Sequence, residues 1–137
     1  MKNAHIILLF LALFLFGCGD KFKPSVEFQL DKYSIDVNNG NISSYVTATI
    51  IRNDNNPTPT EFTLKFDNKA DIYAVDGKGN IIKTLNTRIL QGTGAKDTIQ
   101  FKIFGKTNLA SGSDILNIVL DWNSTTIDSR AITVNVK

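Results

Sequence analysis

Three side-chain chemistries do most catalytic work near neutral pH: imidazole, thiol and paired carboxylates. This chain of 137 residues holds one histidine, His5, and one cysteine, Cys18. Beyond residue 18 it has neither group. A Ser-His-Asp or Cys-His unit cannot be assembled there, nor can a zinc or copper site built on nitrogen and sulfur ligands. A lone cysteine also forms no intramolecular disulfide, so the fold must rest on burial and hydrogen bonding.

Oxygen ligands remain. Asp54 with Asn55 and Asn56, or Asp76 with Asn80, are the places where a hard cation such as calcium could gather oxygens. Neither follows the spacing of a calcium-binding helix-loop-helix, and turn formation accounts for both, so no metal and no cofactor are expected. Glycoside hydrolysis needs two facing carboxylates. The only glutamates are Glu27 and Glu61, and the aspartates fall mainly in or beside turns, so no enzyme is expected.

Trp122 with Asn123 has two readings: a sugar-stacking or partner-binding tip, or the continuation of a core set that plugs the end of the sandwich. The second is adopted. Tyr33, Tyr45 and Tyr73 are read as edge-of-core residues with hydroxyls reaching water. Asn41-Ile42-Ser43 and Asn123-Ser124-Thr125 match the glycosylation sequon. Asn41 and Asn123 are therefore candidate attachment sites, both in expected loops.

The first residues read MKNAHIILLFLALFLFGC. Lys2 and the amino terminus form a positive start, and Ile6 to Phe16 an unbroken apolar stretch. That suits the helical core of a signal peptide and is well short of the roughly twenty residues a membrane-spanning helix needs. Leu15-Phe16-Gly17-Cys18 resembles the lipobox of prokaryotic lipoproteins. The resemblance implies cleavage before Cys18, a diacylglycerol on its sulfur and acylation of the new amino terminus. A short uncleaved anchoring helix, or a plain secretory signal cut at Gly17 or Gly19, are the other readings. The expected organisation is a signal peptide over 1–17, a lipidated cysteine and linker over 18–24, and one domain over 25–137. A linker this short reaches at most ~25 Å, which keeps the domain beside the lipid.

The domain is built of elements with period two. Phe62, Leu64 and Phe66 share a face, as do Ile99, Phe101 and Ile103, then Leu116, Ile118, Leu120 and Trp122. Val46, Ala48 and Ile50, and Ile132, Val134 and Val136, complete the inward sets. Asn, Asp, Gly and Pro clusters separate them. Strands are expected over 26–37 (bent or broken near Asp31), 44–53, 61–66, 71–75, 80–90, 97–104, 114–122 and 126–136, with a hairpin tip at 76–80. The fold class is all-β: an immunoglobulin-like β-sandwich of seven or eight antiparallel strands. Eight would return Lys137 to the membrane-proximal pole, and seven would leave it at the far pole. The formal net charge of +2 comes from scattered single basic residues, with no stripe to track a phosphate backbone, so nucleic acid is not an expected partner.

The strand Val46-Thr47-Ala48-Thr49-Ile50-Ile51-Arg52-Asn53, then Phe62-Thr63-Leu64-Lys65-Phe66, then the Gly-containing turn from Leu90 leading into Thr98-Ile99-Gln100-Phe101, resemble prokaryotic cell-surface immunoglobulin-like domains of the CARDB type. The resemblance implies a module that binds, spaces or braces other envelope components. The expectation is a cell-membrane protein held by lipid on Cys18, facing the exterior or periplasm, with an envelope protein or glycan as partner. A small solute- or glycan-binding lipoprotein is the rival, and it calls for an exposed aromatic cluster beside a concave surface.

Overall fold

A strand whose side chains alternate between faces must lay its apolar face on another layer. Here two five-stranded sheets do this for each other. The computed structural model describes residues 22–137; His5, Cys18 and the expected signal peptide over 1–17 lie outside them. The first sheet contains β1 (Val26–Leu30), β3 (Asn41–Ile42), β4 (Val46–Arg52), β6 (Ile72–Val75) and β8 (Lys96–Gly105). The second contains β2 (Ser34–Val37), β5 (Thr63–Phe66), β7 (Thr84–Asn86), β9 (Gly112–Trp122) and β10 (Thr125–Val136).

The fold class is the expected immunoglobulin-like sandwich, and its core is the expected one. Phe28, Val46, Ala48, Ile50, Phe62, Leu64, Phe101, Ile103, Leu116, Ile118, Leu120, Ile132 and Val134 are fully buried. Phe66 and Phe101 meet edge to face at 4.8 Å across the two layers, a favoured aromatic geometry.

Three details differ from the sequence reading. The segment 26–37 is broken near Asp31, as one of its two readings expects, but the break is also a change of sheet. β1 pairs antiparallel with β4, then the chain changes sheets at 31–33, and β2 pairs with β10 in parallel (Ser34 opposite Thr133, Val37 opposite Val136). The segment 80–90 is also divided. Ile81 bridges Val75, β7 pairs with β5 in the other sheet, and Leu90 bridges Thr60. Asn68 holds this crossing: its Nδ2 donates to Ile82 O and its Oδ1 accepts from Ala74 N. The short β3 adds a tenth strand, with Asn41 opposite Gly105.

These divisions decide where the chain ends lie. β1 and β2 run the same way because the crossing between sheets does not reverse the chain. Arg52 and Val26 pair at one end of the sandwich, as do Thr125 and Trp122. Val136 pairs with Gly112 at the other end, and Lys137 O accepts from Asn39 N there. Counting strands by parity is misleading here: Asp71 to Val75 does contribute a strand, yet Lys137 lies at the pole opposite Trp122.

Candidate functional site

The pole that receives the linker is built around Arg52. Val46, Ala48 and Ile50 point inward, so the period of two sends Arg52 inward as well, where it is 0% exposed. Taking a guanidinium out of water is costly unless its donors are all engaged, and here they are. Nη2 donates to Asp54 Oδ1 (2.8 Å) and Asn56 O (2.9 Å), Nη1 to Leu90 O (3.0 Å) and Thr58 O, and Nε to the Asp54 carboxylate. One side chain thus fastens the 53–59 loop to the segment around Leu90, which bridges Thr60. The guanidinium beside Asp54 holds that carboxyl below the usual carboxylate range, aided by the N–H groups of Ser25 and Asn56 against the opposing effect of burial.

Residues 22–25 close this pole. Ser25 N donates to Asp54 Oδ2 at 3.0 Å, and Pro24 is buried. The Phe22 ring lies 5.5 Å under the Arg52 guanidinium and meets Trp122 edge-on at 5.8 Å. Trp122 is half-buried and packs on the core, as the core reading expects, and its ring also meets Phe22.

Asp97, Asp121 and Asp76 are similarly occupied. Asp97 and Asp121 lie on strands, within the spans expected for them, and both are buried. Burial pushes the Asp97 carboxyl up, but the Arg88 N–H and guanidinium and the Thr98 N–H outweigh it and leave the carboxyl low. Asp121, on the outer face of the second sheet, accepts from Thr126 Oγ1 and pairs with Lys65. Asp76 accepts from the N–H groups of Lys78 and Asn80 and from the Asn80 amide, which makes the 76–80 tip a self-bonded turn. Among the described residues no three His, Cys, Asp or Glu side chains gather as metal ligands would.

The second feature is an aromatic patch that the sequence reading missed. Tyr73 and Phe104 face outward from β6 and β8 and stack at 4.7 Å with rings 13° apart. Ile42 and Tyr45 stand beside them, both exposed, and Lys102 Nζ sits 4.6 Å over the Tyr45 ring. The 76–80 turn frames the patch. A β-carbon on Gly77 would lie 2.6 Å from the Tyr45 hydroxyl, and one on Gly79 would lie 3.2 Å from Ile42. An open depression of ≈ 630 Å³ runs between Asn38, Asn41, Ile42, Tyr73, Gly79 and Phe104. Tyr45 and Tyr73 are therefore outer-face residues and not edge-of-core ones. The signal was present: Tyr73 is out of phase with Ile72 and Ala74, and Phe104 with Phe101 and Ile103.

The sequon residues are far apart. Asn41 opens β3, so it lies on a short strand and not in a loop. Its side chain is exposed, but Ser43 is buried, its Oγ accepting from Ile103 N. Asn123 and Ser124 form the exposed two-residue tip of the β9–β10 hairpin, both with positive φ (47° and 62°), the geometry that matches strand twist.

No family model matches the chain, and no curated protein matches it. Solved structures match in fold. The CARDB domain of a Pyrococcus furiosus protein, in complex with di-metal ions, is 13% identical with a TM-score of 0.50, over 85% of this chain and 97% of that one. Domains 4 and 5 of the S-layer protein SbsC give a TM-score of 0.44 at 15% identity over 85% of this chain, which spans about half (48%) of that fragment. An ASH/PapD-like domain of human CEP192 gives 0.44 at 12% identity, over 87% and 90%. At these identities the likeness concerns the fold alone.

Proposed function

We propose that this chain is a cell-envelope protein held on a membrane by lipid on Cys18, and that its sandwich is a non-enzymatic interaction module. The observation that carries the module reading is a division of labour among side chains. Arg52, Asp54, Asp97 and Asp121 are spent on internal bonds, while Ile42, Tyr45, Tyr73 and Phe104 gather on one outer face. A surface that concentrates aromatic side chains with few charges has the composition of a contact surface. The lipobox residues support the anchor, and the short linker after them supports a membrane-proximal site of action.

A glycan-binding reading has one observation in its favour. The Tyr73–Phe104 stack lies beside the amides of Asn38 and Asn41, and a flat apolar face next to hydrogen-bonding groups suits a sugar ring. Trp122, the sugar-stacking candidate in the sequence, is a poor platform because Phe22 packs against it.

Crosslinking of the native protein in intact membranes tests these readings. A discrete protein adduct, lost in Tyr73→Ala, is the expected result. A glycan adduct lost in the same variant would shift the module to the second reading. Adducts unaffected by Tyr73→Ala would remove the patch from either. Mass spectrometry of the mature amino terminus tests the anchor separately: an unmodified cysteine there would end it.

A further inference from the structure

We infer that the linker clamp fixes the orientation of the sandwich, so that the pole carrying Phe22, Trp122 and Ile89 rests on the lipid surface and the opposite pole faces away. This rests on the lipid anchor at Cys18 proposed above. Three residues, Gly19 to Lys21, separate Cys18 from Phe22, a reach of at most ~14 Å. Beyond them the chain is no longer a free tether. Phe22 is engaged by Trp122 and Arg52, Pro24 is buried, and Ser25 N is bonded to Asp54. A flexible linker would let the domain turn in any direction. A linker docked from its fourth residue after the lipid presents one pole.

That pole has the make-up of a lipid-facing surface. Ile89 is 66% exposed and directly precedes Leu90, whose carbonyl is bound by Arg52 beneath Phe22. Lys23 and Lys96 are exposed at the same end of the sandwich, neither of them in an ion pair among the described residues. Arg88 is also exposed, and its one partner is the buried Asp97. An exposed apolar side chain at a pole that also carries exposed cations suits the boundary between acyl chains and anionic headgroups. The occupant is the membrane that holds the lipid. The aromatic stack of Tyr73 and Phe104 follows from the same geometry. Phe104 lies one residue from Gly105, which ends β8 towards the far pole, so the patch is lifted clear of the lipid.

The test uses the full-length protein in vesicles of phosphatidylethanolamine and phosphatidylglycerol. Because an acylated Cys18 carries no free thiol, Ile89→Cys and Leu109→Cys each offer one labelling site, at the near and far poles. Leu109 is 71% exposed. The expected result is several-fold slower quenching by aqueous iodide at 89 than at 109. Phe22→Ala should abolish that contrast while vesicle flotation is kept. In detergent it should also red-shift the emission of Trp122, the only tryptophan. Equal quenching at 89 and 109 in the anchored protein overturns the orientation and leaves the anchor standing. A protein that lacks the acyl mass on Cys18 overturns both. Protection at 89 that grows with protein density would assign the cover to a second copy, against the inference.

Discussion

Asp54 and Arg52 are two residues apart and bonded side chain to side chain: Asp54 Oδ1 lies 2.8 Å from Nη2, and both carboxylate oxygens lie within 3.2 Å of Nε. The guanidinium is sealed from solvent and the carboxylate partly open. The pair therefore links the folded state to pH. The Asp54 carboxyl is held low by Arg52, so its folded pKa lies below its unfolded one. Its stabilising contribution is complete above the unfolded value of about 3.9 and is lost as pH falls through the folded value. Asp97, also lowered, acts in the same direction. Stability from urea titrations should be level between about pH 5 and 7 and fall below about pH 4. Asp54→Asn should flatten part of that fall, and an unchanged acid limb would show that the pair is not its source.

Arg52→Ala should cost about 3–5 kcal/mol, because it leaves the buried Leu90 carbonyl, the partly buried Asp54 carboxylate and two further carbonyls without their shared donor. Arg52→Lys should recover little, since a single ammonium cannot reach partners arranged around a planar fork. Chemical denaturation measures both, and a loss below about 1 kcal/mol for Arg52→Ala would contradict the network.

Gly105 lies between β3 and β6, paired with Asn41 on one side and Ile72 on the other. A β-carbon there would meet Val136 at 3.0 Å and Val37 at 3.4 Å. Gly105→Ala should lower stability by about 1–3 kcal/mol through overpacking. Gly92→Ala would test a different cause: φ is +81° with open space around it, so its smaller loss, about 1 kcal/mol, is backbone strain alone.

Ser124 has φ of 62° at the tip of the β9–β10 hairpin. Ser124→Gly should raise the melting temperature slightly, by relieving a left-handed conformation worth about 1 kcal/mol, offset in part by the entropy of glycine. A lower melting temperature would show that the turn needs its hydroxyl.

Tyr73→Ala should change stability by less than a buried aromatic would. Phe101→Ala, in the core, should cost about 3–5 kcal/mol. Comparable losses at the two positions would mean that Tyr73 braces the sandwich and is not free for contact.

Much of the sandwich was legible because burial on one face leaves a trace every second residue. Phe62, Leu64 and Phe66 are inward in sequence and in space for that reason. The same trace extends to Arg52, two residues beyond Ile50, and to Asp97, two before Ile99. It went unread where the inward residue was charged: both positions were expected on strands, but neither was counted in an inward set. The exchange of sheets at 31–33 left no such trace. Alternation tells which face a residue takes, whereas the choice of partner strand is decided by residues a hundred positions away. The Tyr73–Phe104 stack was hidden for the same reason: its members are distant in sequence and meet only through the pairing of β6 with β8. Cys18 was singled out by sequence alone and lies outside the described residues.

The parallel pairing of β2 with β10 joins groups such as Asn135 and Asp36, 99 residues apart. Contacts of such separation form late, since most of the chain must be gathered before they close. An edge of the second sheet therefore stays open until β10 is available. During synthesis the sandwich cannot complete itself before β10 has been made, and until then the polypeptide stays threadable.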